Sequence, residues 1–150
     1  MTDYNKFLNE YKLKDPVCLW KWTWSTIRLM EATTNSCHRV KSDKLSPDTY
    51  KDFHNTPTKL QHREKMQKGI WPGDGCEYCK NIEDSGGLSD RKEVNSDTLF
   101  APVELKENPN AVNLTPKIVE VYFNNLCNLN CIYCSGKYST LWEAEENKFG

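Results

Sequence analysis

Ile118-Val-Glu-Val-Tyr-Phe123 leads directly into Asn124-Asn-Leu-Cys127-Asn-Leu-Asn-Cys131-Ile-Tyr-Cys134. The first six residues are mostly β-branched or aromatic, which predicts a strand. From Ser139 or Thr140 onward, Leu-Trp-Glu-Ala-Glu-Glu146 predicts a helix. The sequence therefore predicts the order strand, cysteine loop, helix.

The three cysteines of this loop have the spacing C-x3-C-x2-C. Three thiolates in a short loop can hold three corners of a cubane iron–sulfur cluster and leave the fourth iron open to a small molecule. Zinc is the alternative, with His38 or an upstream cysteine as the fourth ligand. The x3 gap is unusual for zinc, so we expect Cys127, Cys131 and Cys134 to bind a 4Fe–4S cluster.

Four further cysteines lie upstream, so the total of seven divides into four and three: Cys18, Cys37, Cys76 and Cys79 precede the loop. Cys76 and Cys79 begin a stretch to about Ser85 that predicts a helix, and their spacing puts both sulfurs on one helical face. Taken alone, this pair suits zinc, a redox dithiol or a cluster. Cys18 also suits a buried apolar role.

The segment Val17–Met30 alternates tryptophans with other residues and predicts a strand. Residues 33–36 predict a turn and residues 37–40 a returning strand, so Cys18 and Cys37 are expected near the open end of one hairpin. Ser46-Pro47 and Thr56-Pro57 predict helices at about 47–54 and 57–68. The proline-containing stretch 92–116 is predicted to be a linker.

Composition restricts the classes of function. The 150 residues carry a formal net charge of -1, which gives no reason to expect a nucleic acid as a partner. No apolar run suits a membrane span, and the polar N-terminus does not suit a signal peptide. We therefore expect a cytoplasmic protein, in which reduced thiols favour metal binding over disulfides.

The remaining candidate side chains have structural interpretations. The tryptophans at 20, 22 and 24 suit core packing better than a substrate platform. His54 and His62 are expected on helix surfaces or at caps. His38, next to Cys37, is expected to be an ordinary hairpin residue, although it is also a candidate metal ligand.

The loop C-x3-C-x-aromatic-C after a strand resembles the signature of the radical S-adenosylmethionine (SAM) enzymes. The chain as a whole is similar to twitch/SPASM-type members whose auxiliary-cluster region precedes the barrel. The resemblance covers roughly residues 17–145 and rests on these stretches: Cys18-Leu-Trp20, Cys37-His38, Phe53-His-Asn-Thr-Pro57, Arg63, Gly69 to Cys79, Glu83, Gly86-Gly87, Ser89, Arg91 and Asn125 to Cys134.

The resemblance implies an α+β chain with a small cysteine-rich domain of a hairpin and helices at 1–94, a linker at 95–116, and the first strand, cluster loop and helix of a partial (β/α) barrel at 117–150. It implies that Cys127, Cys131 and Cys134 hold a 4Fe–4S cluster whose open iron binds SAM. Reduction of that cluster cleaves SAM to methionine and a 5′-deoxyadenosyl radical, which takes a hydrogen atom from the substrate.

The resemblance also implies a second, auxiliary 4Fe–4S cluster, ligated by Cys18, Cys37, Cys76 and Cys79. Tyr133 takes the family position near the adenine of SAM; a simple cluster-shielding role is equally open. The implied partners are SAM, an electron donor such as flavodoxin or ferredoxin, and a peptide as substrate.

The rest of the family's barrel has no counterpart in the 150 residues. We therefore expect a fragment, or one chain of a two-chain enzyme, that does not turn over alone. The other functions open to the sequence are a stand-alone iron–sulfur protein for electron transfer or peptide binding, and a zinc-stabilised interaction module.

Overall fold

The structure, a computed structural model, describes residues 2–127, 129 and 131–149. In these residues seven α-helices and a four-stranded sheet form a mixed α+β domain, which confirms the predicted class at this level. The elements are α1 (Lys6–Tyr11), α2 (Trp20–Thr23), β1 (Trp24–Arg28), β2 (Thr33–Asn35), β3 (Asp43–Lys44), a 3-10 helix (Tyr50–Asp52), α3 (Pro57–Gln67), α4 (Glu77–Asp84), α5 (Asp90–Asn95), α6 (Glu104–Glu107), β4 (Ile118–Tyr122) and α7 (Thr140–Phe149).

The sheet has the strand order β3-β2-β1-β4. β1 pairs with β2 in antiparallel orientation, with Thr26 opposite Asn35. On its other side β1 pairs with β4 in parallel orientation, with Arg28 opposite Tyr122. Because parallel strands run in the same direction, β1 and β4 end at the same edge of the sheet.

The prediction of a strand from Val17 is wrong for its first part. Trp20–Thr23 is the helix α2, and extended structure begins only at Trp24. The Trp20 and Trp24 rings lie four residues apart on one side of this turn, 5.5 Å between centroids, while Trp22 is fully buried and its indole N–H donates to the Ala111 carbonyl at 2.9 Å. Tertiary packing of Trp22 therefore overrides the two-residue alternation.

The predicted turn at 33–36 is also wrong, because Thr33–Asn35 forms β2 and the chain turns before it. The turn ends at Ala32, whose φ is 49°. Buried threonines suit a strand because their branched side chains pack on its surface. Thr34 is fully buried, and its hydroxyl donates to the Thr26 carbonyl at 2.8 Å.

The helix predicted at 57–68 is confirmed as α3. Its cap is Thr56, whose hydroxyl accepts from the Lys59 N–H at 3.3 Å, and Pro57 occupies the first helical position. The helix predicted at 47–54 is present only as the short 3-10 helix Tyr50–Asp52. The predicted helix after Cys76, strand at Ile118 and helix from Thr140 are confirmed as α4, β4 and α7.

His54 and His62 are not surface residues, in contrast to the prediction. They are 2% and 4% exposed and belong to a buried polar network around Arg63. The Arg63 guanidinium donates to the carbonyls of Lys21 (2.6 Å) and Val112 (2.6 Å). The histidines are buried because α3 packs this network against α2 and the sheet.

The segment 95–116, predicted to be a linker, carries α6 and contributes the fully buried Leu105 to the core. Its backbone is also bound to the rest of the fold, since Asn55 Nδ2 donates to the Leu114 carbonyl at 3.0 Å. None of the helices within the described residues has the length and apolar character needed to cross a membrane.

Candidate metal centres

Four cysteines from three separate segments line one small cavity. Its wall includes Cys18, Cys37, Cys76 and Cys79, and the free space amounts to about 20 Å³, which is room for roughly one water molecule. Cys18 and Cys76 are buried, whereas Cys37 and Cys79 are half-buried; all four are free thiols. The fold therefore brings together the upstream cysteines that the sequence groups as a set.

The surrounding elements explain why these thiols meet. Cys18 precedes α2, which leads into β1, and Cys37 follows β2. Because β1 and β2 are antiparallel, the start of one lies beside the end of the other. Cys76 caps α4 and Cys79 lies in its first turn. Two ends of a hairpin thus face the beginning of a helix.

Gly75 fixes the approach of α4 to the hairpin. Its φ is +91°, and a Cβ atom at this position would overlap the backbone carbonyl of Arg39. Only glycine combines that φ with that close contact without strain. The segment before Cys76 therefore packs directly against the segment after Cys37.

Burial favours the protonated form of three of these thiols. It raises the pKa of Cys18 to about 12 and also raises the pKa of Cys76 and Cys79. Buried thiols lose their protons when they bind a metal, since the metal replaces the proton as the bound cation.

Backbone N–H groups point at the sulfurs and favour their charged form. The Arg39 N–H donates to Cys37 Sγ at 3.4 Å. Hydrogen bonds from the backbone of Trp20 and Arg91 lower the pKa of Cys18 and Cys79, against the larger effect of burial. Such N–H donors stabilise metal-bound thiolates.

Three cationic side chains share the wall of this cavity: Lys21, Arg39 and Arg91. Lys21 is 2% exposed, and its ammonium lowers the pKa of Cys18 and Cys76. Arg91 is held in place by an ion pair with Glu83. Arg39 is likewise paired with Asp90, so Lys21 is the cation of this wall that has no carboxylate partner among the described residues.

The sequence interpretation did not assign these cations to the cysteine site. Lys21 was hidden in the tryptophan segment, and Arg91 appeared only as part of the family resemblance. One signal was available for Arg39, which follows Cys37 by two residues. Its side chain lies 4.0 Å from the centre of the Tyr78 ring and pairs with Asp90 at 3.2 Å.

The downstream cysteines follow β4 and lie in a more open environment. Cys127, Cys131 and Cys134 are each half-buried and free. Cys131 and Cys134 are joined by a turn in which the Cys134 N–H donates to the Cys131 carbonyl at 2.9 Å. Two residues of the loop, Asn128 and Asn130, lie outside the described part of the chain.

The first turn of α7 fixes the backbone of this loop. Thr140 Oγ1 donates to the Cys127 carbonyl at 3.1 Å. The Trp142 indole N–H donates to the Cys131 carbonyl at 3.0 Å. Ser139 is fully buried and lies 2.9 Å from the Leu129 carbonyl, to which its hydroxyl donates. The loop is therefore held in shape by hydrogen bonds to its backbone carbonyls rather than to its thiols.

Tyr133 is 90% exposed and makes no core contact that would bury its ring. Its pKa is raised, first by a hydrogen bond with the Cys131 thiol. The ring therefore stands at the outer face of the loop, beside one of the three thiols.

His38 is exposed, and its ring meets the edge of Trp24 at 4.7 Å between centroids. Within residues 2–127, 129 and 131–149, no three His, Cys, Asp or Glu side chains form a group that could hold a metal ion. Comparisons with protein-family models, with curated proteins and with solved structures found no match to this chain.

Proposed function

We propose that the chain binds two 4Fe–4S clusters and performs the first step of radical SAM chemistry. Cys18, Cys37, Cys76 and Cys79 would hold a closed cluster. Cys127, Cys131 and Cys134 would hold a cluster with one open iron. The observation that carries the proposal is the convergence of the four upstream cysteines on one cationic cavity, which leaves a separate three-cysteine loop at the end of a parallel strand.

The upstream donor set suits an anionic cluster by its chemistry, because it consists of four thiols beside cationic side chains, although no three of them are grouped to hold a metal ion in the described part of the chain. In a cubane each thiolate binds its own iron, so the sulfurs must surround a space rather than meet at a point. The small cavity requires the half-buried Cys37 and Cys79 side chains to rotate outward when a cluster enters. Lys21, which has no carboxylate partner among the described residues, would then offset part of the negative charge of the thiolates.

The downstream loop fits a cluster that must remain accessible. Its thiols are half-buried, and its carbonyls are already engaged by Thr140 and Trp142, so the thiolates are the free ligands of the loop. The positive end of the α7 dipole faces the same loop and favours negative charge there. Tyr133, exposed beside Cys131, is available to contact the adenine of a bound SAM.

Bound at this loop, the cluster would supply the electron that splits SAM into methionine and a 5′-deoxyadenosyl radical. The residues of this chain contribute ligation, orientation and charge. The proposal includes a partial barrel beginning at β4, a reducing cytoplasmic environment, an external electron donor such as flavodoxin or ferredoxin, and a peptide as the class of substrate.

Metal and sulfide analysis after anaerobic reconstitution tests the ligand sets. The wild-type chain should bind about eight irons and eight sulfides. The variant Cys127→Ala/Cys131→Ala/Cys134→Ala should bind about four of each, and Cys76→Ala/Cys79→Ala should also bind about four. Each variant is the control for the other, because each removes one site and leaves the second intact.

Spectroscopy then tests the SAM step. Addition of SAM should change the EPR spectrum of the reduced wild-type protein and of Cys76→Ala/Cys79→Ala. It should leave the spectrum of the triple variant unchanged. A colourless protein that contains zinc and no sulfide would contradict both cluster assignments and would favour an interaction module. A SAM-dependent change that survives in the triple variant would contradict the assignment of the open cluster.

A further inference from the structure

Arg28 is a buried cation whose charge the fold does not neutralise. It is the last residue of β1 and is 7% exposed. Its Nε is buried and has no hydrogen-bond partner, and none of the ion pairs among the described residues includes Arg28. The guanidinium carbon of Arg28 lies 5.3 Å from the centroid of the Tyr122 ring. Buried donors without partners are rare and call for an explanation.

Arg28 lines a cavity of about 380 Å³ at the edge of the sheet where β1 and β4 both end. α7 also lines this cavity, with Glu143 and Glu146. This volume lies within the range of small-molecule sites, roughly 300–1,000 Å³. The position also matches a general rule, because ligands of open sheets bind outside the carboxyl ends of parallel strands.

The other charges at this cavity leave Arg28 as its one cation without an ion pair in the described chain. Lys137 pairs with Glu31 at 3.2 Å. Glu143 and Glu146 each use one oxygen within the protein: Glu143 accepts from Asn125 Nδ2 at 2.8 Å, and Glu146 accepts from the Gly136 N–H at 2.9 Å. Both carboxylates are exposed, so each keeps an oxygen available to a ligand.

The cavity lining thus combines one unpaired guanidinium with two carboxylates that each keep an oxygen available. A simple anion would suit Arg28 but would be repelled by the glutamates, and a simple cation would meet the reverse problem. A ligand that carries both charges suits both kinds of side chain. The Tyr122 and Tyr138 rings, 5.7 Å between centroids, add a surface for an apolar side chain.

We propose that this cavity binds a free α-amino acid, with its carboxylate on Arg28 and its ammonium group towards Glu143 and Glu146. A planar guanidinium suits a carboxylate because it donates two parallel hydrogen bonds. Neither a cysteine nor Tyr133 is among the described residues that line this cavity, so we assign it as a site separate from the SAM site and independent of either cluster.

Calorimetric titration of the full chain tests the proposal with three probes. L-Leucine carries both charges, 4-methylpentanoate lacks the ammonium group, and 3-methylbutylamine lacks the carboxylate. We expect leucine to bind at least about tenfold more tightly than either analogue, because only leucine can interact both with Arg28 and with the two glutamates. Equal affinities for the three probes, or no binding of leucine, would overturn the proposal.

Two variants test which side chains bind the carboxylate and the ammonium group of leucine. Arg28→Met should remove the preference for leucine over 3-methylbutylamine while raising the melting temperature of the ligand-free protein, since it removes an unpartnered buried cation. Glu143→Gln, a change at an exposed position, should reduce the preference for leucine over 4-methylpentanoate and tests the proposal even if the first variant fails to fold. Lys51→Met removes an exposed positive charge outside the cavity and should change neither preference.

A last comparison separates this site from the proposed clusters. The triple variant Cys127→Ala/Cys131→Ala/Cys134→Ala should bind leucine as the wild type does, and saturating SAM should not weaken leucine binding to the wild-type protein. Competition between SAM and leucine would overturn the assignment of a separate site. If the wild-type protein binds leucine but neither cluster, the proposed function is contradicted and the amino-acid site is not.

Discussion

At the scale of single residues, Arg63 joins parts of the chain that are far apart in sequence. Its guanidinium donates to the carbonyls of Lys21 and Val112 and to the Asn55 amide oxygen at 2.7 Å. It also lies 2.9 Å from His54 Nε2. Because a guanidinium can only donate, it disfavours a second proton on this imidazole.

The pKa of His54 is lowered from 6.5 to about 3, first by burial and then by the charge of Arg63. Burial also lowers the pKa of His62, to about 4. The folded state therefore holds both rings neutral, while the unfolded state takes up protons as the pH falls below about 6.5. The contribution of the two neutral histidines to the free energy of unfolding is fully present above this pH, and it is lost as the pH falls towards their folded-state pKa values.

We predict that lowering the pH from 7.5 to 5.5 reduces the free energy of unfolding through His54 by roughly 1–2 kcal/mol. Urea titrations at the two pH values would measure this loss. His54→Gln should be less stable at pH 7.5 but should show a smaller dependence on pH. His38→Gln is the matched control because that ring is exposed. An unchanged pH dependence in His54→Gln would contradict the prediction.

Buried charges were the feature that the sequence could not reveal. Lysine and arginine are almost always exposed, so no local pattern identifies Lys59 as 3% exposed. Its ammonium donates to Ser25 Oγ at 3.0 Å and Thr34 Oγ1 at 2.7 Å, partners that lie 34 and 25 residues away. The division of the cysteines into two groups, by contrast, was predicted directly from their spacing in the sequence.

At the scale of elements, the predictable features were those with a local chemical cause. Thr56-Pro57 predicted the start of α3. In the structure Thr56 caps the helix and Pro57 occupies its first position. The hairpin was predicted, but its turn was placed four residues too late because Thr33–Asn35 contains residues common in turns. The burial of these threonines depends on contacts with α3 and the sheet, which the local sequence does not encode.

Two glycines, one before α4 and one after it, provide a test at this scale. Gly75 and Gly86 both have positive φ, +91° and +79°, but only Gly75 lacks room for a Cβ atom. We predict that Gly86→Ala costs about 1 kcal/mol of stability from its backbone conformation alone. Gly75→Ala should cost roughly 3 kcal/mol or more, because the Arg39 backbone must also move.

Thermal unfolding and iron analysis would compare the two glycine variants. If the proposed clusters form, Gly75→Ala should lose iron from the upstream site, so that the reconstituted protein retains only the iron of the downstream loop. Gly86→Ala should keep the full wild-type iron content. Equal stability and equal iron content in the two variants would contradict the role assigned to Gly75.

At the scale of the whole molecule, β4 is an integral strand of the sheet formed by the hairpin. Each residue from Ile118 to Tyr122 pairs with one from Trp24 to Arg28. Thr26 Oγ1 donates to Glu120 Oε2 across this pair at 2.8 Å. Pairing between segments more than ninety residues apart leaves no local signal, so the sequence indicated a strand at β4 but not its partner.

We predict that β1 and β4 open together, since each supplies hydrogen-bond partners to the other. Hydrogen-exchange mass spectrometry in low concentrations of denaturant would measure peptides that cover each strand. Both should exchange with the same opening free energy and the same denaturant dependence. Fast exchange of β4 while β1 and β2 remain protected would contradict this prediction.

The position of β1 also sets the distance between the upstream cysteines and the downstream loop. The upstream cysteines gather near the end of the sheet where β1 begins, and the downstream loop follows the end where β1 and β4 finish. Five strand residues span about 16 Å at 3.3 Å per residue. If both clusters form, an electron that passes between them must cross a length set by a rigid strand. The length of this strand would then be a fixed part of the distance on which the rate of that transfer depends.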